Sequence, residues 1–282
     1  MRYGLPYQGS KAKLAERIVA LLPEAEHLYD LFAGGCAVTH CALAQMAGLL
    51  AKWQHLHTND ITDMPQLFFD ALSGKYADER RWISREDFHR LKDTDPYVRS
   101  VWSFGSKGND YLYSRELEPY KKALHEMLFA ETVQRRRVLY RKVVKELLPL
   151  LPQTSERGIQ SLQSLERLER LGRLRIQERR DGAWWWWLTQ LDYREVEIKP
   201  DSVIYADPPY IGTGNYGKAK FDHEAFYDWC EQQTAPLFIS EYQMPEDRFT
   251  CIAEWSRVSS LCATNNSLRV TERIYRPNTQ LR

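Results

Sequence analysis

The sequence contains no Cys-x-x-Cys pair, and its five cysteines, Cys36, Cys41, Cys230, Cys251 and Cys262, are odd in number and scattered. That spacing supports neither a disulfide framework nor a ligand set shared with the seven histidines, so the thiols read as reduced structural residues and no metal is expected. No window approaches the roughly 18 apolar residues of a membrane span, and Met1 to Pro6 lacks the apolar stretch of a signal peptide. The expectation is a soluble, cytoplasmic protein with no membrane partner. Also missing is the Gly-x-Gly-x-x-Gly spacing of a dinucleotide site, which argues against a nicotinamide enzyme. Overall charge is nearly balanced at +1 but unevenly placed. Residues 71–194 carry 25 Lys and Arg against 18 Asp and Glu, while the rest of the chain carries 14 against 20. A polyanion would be drawn to the middle of the chain and not to its whole surface.

At 282 residues the chain is long enough for one large domain or two modest ones. Leu14, Ile18, Leu21 and Leu22 share one face of a predicted helix over 11–22, which Pro23 stops. The apolar stretch from His27 to Phe32 reads as a buried strand. It runs into Ala33-Gly34-Gly35-Cys36 and a second helical segment, giving strand, glycine turn and helix in sequence. His55 to Asp60 reads as the next strand, ending on an acid. Ser202 to Ala206 and Pro236 to Ser240 read as further strands, with a helical run over 223–233 between them. Strands alternating with helices imply a parallel-type sheet covered on both faces. The predicted fold is therefore α/β, a Rossmann-like sheet built from residues 1–70 and 195–282, with a mainly helical insert at 71–194.

The insert has a different character. Its apolar positions predict one long helix from Tyr120 to Leu151, carrying Arg135-Arg136-Arg137 and Arg141-Lys142. These arginines read either as a solvated helix face or as nucleic-acid contacts, which the local net charge favours. Over 159–176, Ile159, Leu162, Leu165, Leu168, Leu171 and Leu174 recur every third residue. Three residues turn an α-helix by about 300°, so this row spirals around the axis and makes no stripe. Trp184 to Trp187 cannot all point one way from a strand or a helix, so some indoles must be partly exposed.

The most specific signal is Tyr205-Ala206-Asp207-Pro208-Pro209-Tyr210, directly after a predicted strand. A nucleobase amine is a poor nucleophile because its lone pair is delocalised into the ring. Two acceptors, each taking one N–H, would draw the nitrogen toward tetrahedral geometry and free that lone pair to attack a methyl sulfonium in line. Asp207 and the Pro208 carbonyl are suited to this, and consecutive prolines fix the carbonyl's direction. Tyr210 would stack on a base that has left the duplex. The glycine turn at Phe32 to Gly35 would admit the amino-acid end of an adenosyl cofactor. Asp60 is placed either to accept hydrogen bonds from ribose hydroxyls or simply to cap a helix.

With these motifs in hand, the chain resembles the Dam-like family of DNA adenine-N6 methyltransferases, in the order where cofactor motifs precede the catalytic one. The resemblance covers the first sixty or so residues and roughly 200–282. Pro6-Tyr7-Gln8-Gly9-Ser10-Lys11 resembles the family's N-terminal cofactor segment, which implies that Tyr7 packs near S-adenosylmethionine and that Lys11 meets its carboxylate. Asp30-Leu31-Phe32-Ala33-Gly34-Gly35 resembles the glycine loop, and Cys36 stands where a small residue such as glycine is common. The resemblance implies cofactor contacts at Tyr7, Lys11, Asp30, Phe32, Gly34, Asp60 and Asp207, and catalysis by Asp207, Pro208, Pro209 and Tyr210. Ile211 to Lys218 resembles a loop over the flipped adenine, and Asn265 to Tyr275 the final turn and strand. Residues 71–194 occupy the position of the target-recognition insert, with Ser103 to Tyr111 as a hairpin that would meet double-stranded DNA. The implied fold is a Rossmann-like methyltransferase sheet, the implied partners are DNA and a cognate restriction enzyme, and the implied host is bacterial or phage. Methyltransferases of RNA or of protein glutamine usually have Asn before the prolines, so Asp207 favours adenine. Intact Asp207, Tyr210 and Lys11 speak against an inactive nucleic-acid-binding relative.

Overall fold

The computed structural model describes residues 3–5, 9–48, 51–104, 108–147, 185–211, 221–258 and 269–281. The chain forms two compact units. One comprises Met1–Gly4, Lys11–Pro65 and Ile176–Arg282, and the other Leu5–Ser10 and Gln66–Arg175.

The first unit is built on a seven-stranded sheet: β1 (His27–Asp30), β2 (His55–Asn59), β3 (Trp185–Thr189), β4 (Ser202–Ala206), β5 (Leu237–Glu241), β6 (Phe249–Val258) and β7 (Arg269–Pro277). Its spatial order is β3-β2-β1-β4-β5-β7-β6. The first five strands run parallel, and β7 lies antiparallel to both β5 and β6. This is a Rossmann-like, doubly wound sheet, with the chain reversing its direction of travel between β1 and β4. Every residue of β1, β4 and β5 is buried, as a parallel strand covered on both faces requires. Around the sheet lie α1 (Ala15–Leu21), α2 (Ala37–Met46) and α8 (His223–Gln232).

The second unit is mainly helical. After α3 (Met64–Leu72), whose first residues belong to the sheet unit, come α4 (Arg85–Leu91), α5 (Pro96–Val101), α6 (Glu118–Leu128) and α7 (Val133–Lys142). An antiparallel bridge joins Ser103 to Tyr111, and Phe104 N–H donates to the Asp110 carbonyl at 2.8 Å, which closes the expected hairpin. Trp102, Tyr97, Phe88 and Tyr111 are buried beside it.

Two sequence expectations differ from the structure. The long helix over 120–151 breaks after Leu128, and Thr132 starts a new one by accepting a hydrogen bond from Arg135 N–H at 3.2 Å. A threonine side chain that takes a backbone donor competes with helix continuation. A π turn at Val143–Leu147 follows α7, and residues 148–184, including the 159–176 repeat, lie outside the described residues. The second difference concerns Trp185–Thr189, assigned by sequence to the insert but found as an outer strand of the sheet. Aromatic residues suit a pleated surface, and Trp186 and Trp187 stay partly exposed there.

Asn59 ties the carboxyl ends of β1, β2 and β3 together. Its Nδ2 donates to the carbonyls of Leu31 and Leu191, both at 3.1 Å, and its Oδ1 accepts from Thr189 Oγ1 at 2.8 Å and Leu191 N–H at 3.1 Å. Asn59→Ala leaves these buried partners unsatisfied and is expected to cost about 3 kcal/mol in urea unfolding. A loss below about 1 kcal/mol would show that the strand ends hold without it.

Candidate active site

Four of the parallel strands end on, or next to, an acid: Asp30 at the end of β1, Asp60 after β2, Asp207 after β4 and Glu241 at the end of β5. The switch point of the sheet, between β1 and β4, lies among them. From Asp30 the chain passes into a turn where Gly34 (φ 47°) and Cys36 (φ 57°, ψ 38°) both take left-handed conformations before α2 begins. A side chain in that conformation costs roughly 1–2 kcal/mol, which the fully buried Cys36 accepts. Gly4 (φ 64°) backs the turn, with its N–H donating to His40 Nδ1 at 3.0 Å. A Cβ on Gly4 would stand 2.4 Å from the Gly35 carbonyl oxygen and 2.7 Å from Ala37 N.

The carboxylates around this turn have distinct partners. Asp30 Oδ2 accepts from Thr39 N–H at 3.1 Å and Thr39 Oγ1 at 2.7 Å, while its Oδ1 is buried without a hydrogen bond. Burial pushes Asp30 up to about 7, and the nearby Asp207 and Asp60 add to the rise. Asp60 Oδ2 accepts from Gly34 N–H at 2.8 Å, and Oδ1 from Thr62 N–H at 2.8 Å and Thr62 Oγ1 at 2.7 Å. These bonds fix the glycine turn and the chain leaving β2.

Beyond β4, the Lys11 ammonium lies 2.8 Å from Asp207 Oδ1, 4.0 Å from Glu272 and 4.7 Å from the centre of the Tyr210 ring. Tyr210 donates its hydroxyl to Glu272 Oε2 at 2.8 Å and meets Tyr242 edge to face at 4.6 Å. Burial raises Asp207 while Lys11 opposes the rise. Glu241 accepts from Ile211 N–H at 3.3 Å and Tyr242 N–H at 2.7 Å, and burial pushes it up to about 8.

Of the residues picked out by sequence, Asp30, Gly34, Asp60, Lys11, Asp207 and Tyr210 therefore gather at the carboxyl edge of the sheet. Lys11 is engaged with both ends of the Asp207-Pro208-Pro209-Tyr210 motif. Phe32 turns into an aromatic cluster with Tyr193, Phe221 and Phe226 at 5.2–5.9 Å. Tyr7, the 212–218 loop and residues 265–268 lie outside the described residues. Sequence reading missed Glu241, Glu272, Thr39 and Gly4. Glu272 carried a signal, being an acid on the same side of its strand as Ile274, both 2 % exposed. Glu241 carried another, because like Asp30 it closes an apolar run.

A group of carboxylates at one edge of a sheet, one of them with a buried oxygen that makes no hydrogen bond, suits a ligand that brings positive charge. S-adenosylmethionine has such charges in its sulfonium and ammonium groups, so the residues present fit it. The unfolded chain, with an ordinary Asp near about 3.9, binds fewer protons than the folded one between about pH 4 and pH 7. The stability linked to Asp30 thus falls as pH rises through that window and stays lost above it. Asp30→Asn removes the buried charge and keeps an oxygen for Thr39. Urea unfolding of the variant without ligand should match wild type at about pH 5 and exceed it at about pH 8. A variant weaker than wild type at the higher pH contradicts the assignment.

Comparison with known proteins bears on this geometry. Residues 7–145 match the model of the D12 class N6 adenine-specific DNA methyltransferase family. No curated protein matches the chain. Among solved structures, two of the rRNA methyltransferase aviRa from Streptomyces viridochromogenes, at 2.4 and 1.5 Å, align over 95 % of this chain and 85 % and 84 % of theirs. Their identities are 12 % and 11 % and both TM-scores are 0.37, a likeness too slight to bear on what this chain acts upon. The Dam-like resemblance and the family match agree: over residues 7–145 the chain is similar to the D12 class N6 adenine-specific DNA methyltransferases.

Proposed function

We infer that the protein transfers the methyl group of S-adenosylmethionine to the N6 amine of adenine in double-stranded DNA. The observation that carries this reading is the placement of Asp207-Pro208-Pro209-Tyr210 at the carboxyl end of β4, beside the β1 glycine turn, with Asp207 paired to Lys11 at 2.8 Å. When bound, the cofactor supplies an electrophilic methyl sulfonium. Asp207 and the Pro208 carbonyl accept the two N–H groups of the amine, so that its lone pair points at the methyl carbon. The Lys11 ammonium opposes the rise that burial imposes on Asp207 and so favours the ionised form, which is the form that accepts. After transfer, the nitrogen carries a positive charge and loses one proton. The tyrosine ring at 210 supplies a stacking face for a base turned out of the duplex, held in place by its bond to Glu272.

DNA as the polyanion accords with α7, whose Arg135, Arg136, Arg137, Arg141 and Lys142 stand on a helix with no buried residue. Aspartate in place of asparagine before the prolines favours adenine over RNA or glutamine substrates. Purified protein incubated with methyl-labelled S-adenosylmethionine and unmethylated plasmid should yield labelled N6-methyladenine on digestion to nucleosides and mass spectrometry. Asp207→Ala should lower that yield by more than about 10²-fold, as loss of a preorganised electrostatic contact does. Near-normal turnover in the variant, or label in no DNA base, overturns the reading.

A further inference from the structure

At the opposite end of the same strands, three side chains converge that the methyl-transfer site does not use. Glu26 precedes β1, His27 opens β1 and His55 opens β2, and His27 and His55 are paired in register with rings stacked at 4.7 Å. One ligand atom from each lies within 4.8 Å of the other two. Glu26 Oε1 is 3.7 Å from His27 Nε2 and 3.5 Å from His55 Nε2. The first distance is too long for a hydrogen bond and the second is marginal. Both lie close to the edge of a tetrahedron of ligands around an ion with bonds of about 2.0–2.1 Å, which is about 3.4 Å. We propose that Glu26, His27 and His55 form a binding site for a zinc-class divalent metal ion that ties the amino ends of β1 and β2 together.

The surroundings are arranged as a ligand set needs. His27 Nδ1 is 3.0 Å from His57 Nε2. Donation across that contact places the His27 proton on Nδ1 and leaves the Nε2 lone pair toward Glu26 and His55, the outer hydrogen bond that metal-bound histidines commonly make. His57 is itself held between Tyr29 at 4.1 Å and Trp187 at 4.6 Å, with ring planes 4° and 7° apart. The Glu26 backbone is fixed by its N–H to Asp201 Oδ2 at 3.1 Å and by its carbonyl, which accepts from His55 N–H at 3.0 Å. His27 and His55 side chains are 8 % and 19 % exposed and Glu26 is 47 % exposed, so the ligands are preorganised and an ion can enter past the glutamate. Three protein ligands leave a fourth position for water. A His₂Glu donor set suits zinc. Its distance from Asp207 along the strands makes the role structural.

The test uses the full chain without a histidine tag, stripped with a chelator that is then removed. Zn²⁺ competed against a chromophoric chelator should bind once per chain at micromolar or tighter concentration and raise the melting temperature. Co²⁺ should give the visible bands of tetrahedral coordination. Glu26→Gln, at an exposed position that leaves the core intact, and His55→Gln should each weaken binding by more than about 10-fold, and His57→Phe, which keeps the ring stack, by about 10–100-fold. Equal urea midpoints of the metal-free Glu26→Gln variant and wild type would separate lost binding from lost folding. No stoichiometric binding by wild type, or binding that Glu26→Gln and His55→Gln leave unchanged, overturns the proposal.

Discussion

A carboxylate taken out of water must find compensating charge or hydrogen bonds, or take up a proton, and this constraint organises the protein's carboxyl edge. Asp30, Asp60, Asp207 and Glu241 close parallel strands; Asp30, Asp60 and Glu241 are buried and Asp207 is only 18 % exposed, so water shields them poorly. Lys11 meets Asp207, backbone and threonine donors meet Asp60, and Thr39 meets one oxygen of Asp30. The remaining oxygen of Asp30 is buried without a hydrogen bond. A cationic cofactor answers that demand, and the same field that costs the empty protein stability would contribute to binding it.

Backbone shape complements this electrostatics. Gly4 must be glycine in order to lie against the Gly35 carbonyl, and the left-handed residues at 34 and 36 turn the chain sharply from β1 into α2. Asp60 then grips the turn through Gly34 N–H. The parallel strands thus have two chemically different ends: carboxylates and a glycine turn where the strands finish, and a histidine–glutamate group where β1 and β2 begin.

Much of this was legible in the sequence because it is local. The apolar runs that became β1, β4 and β5, the glycine turn, and the Asp-Pro-Pro-Tyr motif after a strand all announce themselves within a few residues. What escaped is non-local or conformational. Nothing near Lys11 in sequence says that its ammonium ends beside Asp207, 196 positions away. The break between α6 and α7 rests on one threonine side chain overriding a helical pattern. The placement of Trp185–Thr189 in the sheet depends on pairing with β2, and the aromatic run alone does not reveal that partner. Asp60 was recognised as a strand-end acid, but its bonds to Gly34 and Thr62 depend on the turn's folded path.

The central claim, that the buried carboxylates form a receptor for a cationic cofactor, is tested most directly by calorimetric titration with S-adenosylmethionine in buffers of different ionisation enthalpy. Burial pushes Asp30 up to about 7 in the empty protein, so at neutral pH binding should release more protons from wild type than from Asp30→Asn. Equal proton exchange by the two proteins, with binding intact in both, would contradict the account.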